Sequence, residues 1–167
     1  MLNEKLITSL NEQLNQELQA GHNYLAMAAY LEHRSYEGFA TYFMEQAKEE
    51  FSHGMRIYNY LNDRGVKAVY SSLPTPPNEF DSVLDVFEKA LAHEKLVTKS
   101  IHNLADIAYE VKDHATISFL NWFIDEQVEE EATFETHIDY ITRIKHDENA
   151  LFIYEQELGK RKFQLNN

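Results

Sequence analysis

The chain has 167 residues, 44% of them hydrophobic, with only 5 glycines and 3 prolines. This is enough for one folded domain, too short to suggest two, and poor in the breakers that turn-rich folds need. The 28 acidic residues against 15 basic ones give a net charge of -13, so nucleic acid and anionic membrane are not expected partners, whereas cations are. With no cysteine present, disulfides, thiolate metal sites, iron–sulfur clusters and cysteine nucleophiles are excluded.

Met1 to Leu10 lacks a basic region followed by an apolar run, so no secretory signal is expected there. No stretch has the apolar length needed to cross a bilayer, and the cytoplasm is the expected location. Apolar residues recur at helical spacing from about Glu4 to His33, through Leu6, Leu10, Leu14, Leu18, Gly21, Leu25 and Ala28. A second helix is predicted from about Tyr36 to Asp63, carrying Phe39, Phe43, Ala47, Gly54, Ile57 and Leu61, with Gly65 as its stop.

All three prolines fall in Val66 to Phe80, within Leu73-Pro74-Thr75-Pro76-Pro77. That segment cannot be helix interior and is predicted to be one extended connection. At about 3.3 Å per residue it spans roughly 45 Å, the length of a helix of about 30 residues.

The third helix is predicted from about Asp81 to Tyr109, with Asp81 or Ser82 as N-cap and Val83, Phe87, Ala90, Val97, Ile101, Leu104 and Ala108 on one face. The fourth runs from about Asp113 to Lys145, with Ile117, Leu120, Ile124, Phe134, Ile138 and Ile141. A short fifth segment, Asn149 to Leu158, ends at Gly159. The expectation is an all-α single domain over residues 1–167. Its four-helix bundle (about 4–145) has one long crossover between the second and third helices, and a short C-terminal helix (about 149–158) follows.

The apolar stripes are interrupted. Glu17 sits among Leu14, Leu18 and Gly21; Glu50 and His53 among Ala47, Gly54 and Ile57; Glu94 among Ala90, Leu91 and Val97; Gln127 and Glu130 between Ile124 and Phe134. Glu17, Glu50, Glu94 and Gln127 each lie about 12 to 14 residues into their helices. Midpoints of bundled helices meet at one level whichever way the helices run, so these groups converge in the core. A lone buried carboxylate costs several kcal/mol or more. Several facing one another, with no lysine or arginine on those faces, must stay protonated or bind a cation. Oxygen donors with one imidazole suit Fe, Mn or Zn. Glu50 and His53, three apart, share a helix face and can grip one ion, and a glutamate bridging two ions fits the ligand count.

Glu49 and the run Asp125 to Glu131 form a second acidic cluster. Asp125 and Glu131 are expected to be solvated surface, while Glu49, Glu126 and Glu129 could form a further, more polar metal site. Tyr24 lies two turns beyond Glu17 and Trp122 about one turn before Gln127. Packing is the commoner role for both, and electron donation near a metal that reduces O2 is the alternative, with more weight for Tyr24. Asp113 and His114 are candidates for lining an ion channel.

These residues resemble the bacterial non-haem ferritins over nearly the whole chain. The resemblance rests on N-E-Q-L-N-Q-E-L at Asn11 to Leu18, E-E-F-S-H-G at Glu49 to Gly54, A-H-E-K at Ala92 to Lys95, and W-F-x-x-E-Q-V-E-E from Trp122 to Glu130. It implies a di-iron centre that oxidises Fe(II) with O2 or H2O2. Glu17, Glu50 and His53 would hold the first iron, and Glu50 would bridge to a second held with Glu94 and Glu130, with Gln127 and Tyr24 alongside. Glu49, Glu126, Glu129 and Glu130 would form a third iron site. It also implies a hollow shell of 24 copies with the fifth helix at its four-fold axes. Haem is not expected, because the haem-ligating methionine of bacterioferritins is Phe51 here. The fourth helix lacks the second Glu-x-x-His pair of the di-iron oxygenases. From the residues alone, two alternatives stand beside this: a di-iron or di-manganese oxygenase or peroxidase, and a non-catalytic helical bundle.

Overall fold

In the computed structural model, which describes residues 2–164, the chain folds into five helices: α1 (Glu4–His33), α2 (Glu37–Asp63), α3 (Val83–Glu110), α4 (His114–Ile144) and α5 (Glu148–Leu158). No strand occurs among the described residues. Four helices begin at a side chain that accepts a hydrogen bond from the first turn: Asn3 for α1, Ser82 for α3, Asp113 for α4 and Asp147 for α5. Asp81, the other candidate for the α3 cap, lies outside the helix. The chain leaves α2 through Gly65 at φ 70°, a left-handed turn open to glycine without strain.

Tyr36, ahead of α2, makes no side-chain cap bond. The cap comes from α5 instead: the Gly38 amide donates to Glu155 Oε1 at 2.9 Å. A Cβ on Gly38 would lie 2.3 Å from the Glu155 carbonyl oxygen, so the close approach of α5 to α2 requires a glycine there.

Side-chain meetings fix the topology. Gly54 faces Leu14, Glu17 and Leu18 while Gly21 faces Ala47 and Phe51, so α1 and α2 are antiparallel. Thr98 meets Glu131 and Lys95 meets Glu135, so α3 and α4 are antiparallel as well. Phe43 packs on Phe87 with ring centroids 5.0 Å apart, and Ile57 lies with Ile101 further along, which makes α2 and α3 parallel. The crossover delivers that parallel arrangement. It runs along α1, held by Asn11 and Asn15 to the backbone of Val69 and Ser71, and at its far end by the Tyr30 hydroxyl on the Phe80 carbonyl at 2.7 Å.

The core is split in two. One apolar cluster gathers Tyr24, Met27, Phe39, Phe43, Phe87 and Phe134, and the other Leu6, Leu10, Leu14, Ile57, Ile101 and Phe123. At about 1.5–3 kcal/mol for each fully buried large side chain, these two halves supply the main drive to fold. Phe123 joins the second cluster although it lies off the predicted α4 stripe. Between the halves lies a polar layer.

Candidate metal centre

The layer contains the interrupting residues from all four helices. Glu17, Glu50, His53, Glu94, Gln127 and Glu130 are each at most 5% exposed. The bundle crosses here at helix midpoints, so every side chain in the layer points into the space between the two apolar halves.

One oxygen each from Glu17 and Glu50 and a ring nitrogen of His53 lie within 4.8 Å of one another. His53 Nδ1 is 3.4 Å from Glu50 Oε2. Glu17 Oε1 accepts from Gln13 Nε2 at 2.8 Å, while Glu17 Oε2 is buried without a hydrogen-bond partner. A buried carboxylate oxygen with no donor is costly unless a cation takes that place. Glu94 accepts from the Tyr24 hydroxyl and from Gln127 Nε2, the latter at 3.0 Å. Glu130 accepts from Gln46 Nε2 at 3.0 and 2.9 Å on its two oxygens, and the same nitrogen reaches Glu50 Oε1 at 3.4 Å.

The electrostatics follow from this crowding. Burial, then the neighbouring Glu50, pushes the Glu17 carboxyl well above the ordinary carboxylate range. Burial, then the Glu94 carboxylate, does the same to Glu50 and to Glu130. Burial also raises Glu94. Four carboxyls at one level, facing one imidazole, are a donor set that a pair of divalent cations would neutralise, and hard oxygen donors with one nitrogen suit a first-row metal.

A second group of donors lies on the α2–α4 side of the layer. Glu49, His53 and Glu126 also bring one ligand atom each within 4.8 Å, with Glu49 and Glu126 half-buried. Burial raises the Glu126 carboxyl. Glu129 is exposed and stands outside this convergence. Asp125 is exposed, as a solvated residue should be, but Glu131 is half-buried and accepts from the Thr98 hydroxyl at 2.5 Å. Its place facing α3 removes it from free surface. Trp122 packs edge-on against His53, centroids 5.3 Å apart, with the Arg56 guanidinium 4.2 Å from its centroid on the outer side. Tyr24 stacks at 6.0 Å on Phe134. The Asp113 carboxylate is engaged by Arg64 at 2.7 and 3.0 Å and caps α4; His114 beside it is exposed.

Three supporting residues escaped the sequence reading. Gln13 and Gln46 each lie four positions before a core glutamate, Glu17 and Glu50, on the same helix face. That spacing was a usable signal. Arg161, which donates to Gln46 Oε1 and Glu49 Oε2, gave none, because it acts from beyond the end of α5.

Comparison with known proteins is consistent across sequence and structure. A family model for the ferritin-like domain matches residues 7–144. The bacterial non-heme ferritin of Staphylococcus saprophyticus is 56% identical over 163 residues, 98% of each chain, and that of Staphylococcus aureus matches to the same extent. A closed form of the Archaeoglobus fulgidus ferritin made by site-directed mutagenesis superposes with a TM-score of 0.97 at 36% identity, over 98% of this chain and 100% of that one. The open-pore ferritin of the same archaeon gives 0.95 at 36%, over 97% and 100%.

Proposed function

The chain belongs to the bacterial non-haem ferritins. From that premise we propose that it stores iron: it oxidises Fe(II) to Fe(III) at a paired-iron centre inside each bundle, and the ferric product is held as mineral within a shell of 24 copies. The observation that carries this reading is the layer of four buried carboxyls and one imidazole between two apolar half-cores, with a donorless oxygen on Glu17. Iron is the substrate here, and haem has no part in the reading.

In this scheme Glu17, Glu50 and His53 hold one Fe(II), and Glu50 bridges to a second held with Glu94 and Glu130. Gln127 and Tyr24 orient Glu94, and Gln46 orients Glu130. Glu49 and Glu126, which converge with His53, serve a third iron. The two paired ions give up one electron each. Two Fe(II), O2 and two protons yield two Fe(III) and H2O2; with H2O2 as oxidant, two Fe(II) and two protons yield two Fe(III) and two waters. The protein contributes placement, charge neutralisation and exclusion of competing donors. The acidic exterior attracts Fe(II) from solution, and the expected location is the cytoplasm.

The test is stopped-flow measurement of the ferric absorbance after mixing Fe(II) with metal-free shells. Glu50→Ala or His53→Ala should lower the initial rate at least a hundredfold while the particle stays assembled. Equal initial rates in the mutants and the parent would end the assignment.

A further inference from the structure

Beyond α5 the chain turns back toward the centre instead of leaving the bundle. Arg161 lies against α2. One guanidinium nitrogen donates to Gln46 Oε1 and the other to Glu49 Oε2, and the guanidinium carbon lies 4.6 Å from the Tyr42 centroid. The next turn is tied down as well, the Phe163 amide donating to Glu45 Oε2 at 2.8 Å. Phe163 and Gln164 then close one side of the cleft lined by Glu49, His53, Trp122 and Glu126.

This cation holds a carboxylate that the second donor group also needs. Glu49 cannot give its charge fully to a guanidinium and to a dication, and the two cations repel at a separation of a few ångströms. The same guanidinium sets the direction of an amide. With Gln46 Oε1 committed to Arg161, Gln46 Nε2 must face inward, where it meets Glu130 and Glu50. One side chain therefore touches both donor groups, one through Glu49 and the other through Gln46.

We infer that Arg161 is a built-in competitor for the cation site at Glu49, His53 and Glu126: a divalent ion binds there only by displacing the guanidinium, which weakens that site and favours onward release of its ion. Arg161 is a positioning residue, touching no metal itself. The inference rests on the proposed iron function only in taking these residues as metal ligands.

Zinc(II), which undergoes no redox change, tests it by calorimetric titration of the metal-free assembled protein. The parent should show a tight phase abolished by Glu50→Gln and a weaker phase abolished by Glu49→Gln. Arg161→Gln should tighten the Glu49-dependent phase by roughly fivefold, the size of a partly exposed ion pair. Arg161→Lys, which keeps the charge, should restore most of the parental weakness, and Glu49→Gln combined with Arg161→Gln should show no weaker phase at all. A merely structural Arg161 would instead loosen the site in both variants. An unchanged or weakened phase in Arg161→Gln, or no phase that depends on Glu49, overturns the inference. Loss of the Glu50-dependent phase from the parent would count against the paired-iron reading instead.

Discussion

At the scale of single residues, the centre is held together by donors aimed at carboxylates that repel one another. Gln13 serves Glu17, Gln46 serves Glu130 and Glu50, and Gln127 and Tyr24 serve Glu94. Each amide or phenol offsets part of the desolvation penalty, but Glu17 Oε2 and Gln13 Oε1 remain without partners. A metal-binding layer left metal-free should therefore be a weak point of the bundle. Glu17→Gln replaces a carboxyl whose ionised form burial and Glu50 disfavour, and its amide can donate to Gln13 Oε1. The metal-free variant should gain about 1–2 kcal/mol, a rise in melting temperature of about 2–4 °C per kcal/mol for a chain of this size. Zinc should then stabilise the variant less than the parent, since binding linkage requires an intact site. Thermal melts of both proteins with and without zinc read both effects. A less stable metal-free variant would mean that the layer is balanced without metal.

At the scale of elements, the four long helices and the crossover were legible because each signal is local. Helical periodicity, the clustered prolines, Ser82 and Gly65 place the ends of the long helices within about two residues of those observed. The matched heights of Glu17, Glu50, Glu94 and Gln127 were legible for the same reason, since rise per residue is constant. What escaped depends on contacts between distant segments: Glu155 capping α2, Arg161 reaching Gln46, and Glu131 meeting Thr98. The junction of α5 with the bundle is built from such contacts, and it should respond to pH. His137 Nδ1 is 2.6 Å from the Tyr154 hydroxyl, with Tyr42 edge-on at 5.0 Å and Tyr140 beyond Tyr154. Burial, then the positive charge of Arg161, holds the His137 imidazole down at about 4, and burial lifts Tyr154 to about 12. An unfolded or undocked His137 returns to the ordinary value near 6.5. Between about 6.5 and 4 the undocked state binds more protons, so docking is at full strength above that window and weakens as pH falls through it. Hydrogen exchange of α5 amides, corrected for intrinsic rates, should accelerate relative to the bundle between pH 7 and pH 5. His137→Phe should flatten the difference; an equal slope in the variant would place the sensitivity elsewhere.

At the scale of the whole molecule, charge and apolar surface pull in opposite directions. In the proposed shell, 24 chains at -13 each carry a formal -312 and about 470 kDa of protein. That charge draws ferrous ions but also drives the copies apart. Apolar contact has to offset the repulsion, and each chain exposes the means: Leu96, Val128, Phe152 and Ile153 are all more than half exposed. Isolated apolar residues on a surface need no explanation. The pair on α5 is different, because this helix already spends Glu155 and Leu158 on docking to the bundle and presents Phe152 and Ile153 on its outer side. Where the resemblance puts α5, four copies would meet around an axis, and a charge at those positions would face three like charges at close range. Replacing both with aspartate should leave the helix content of the chain unchanged by circular dichroism, because the pair is mostly exposed on its own bundle. Sedimentation velocity should then show loss of the particle near 470 kDa in favour of small oligomers, with partial recovery at high salt as the new charges are screened. A full-size particle formed by the double variant at low salt would show that α5 does not hold the shell closed.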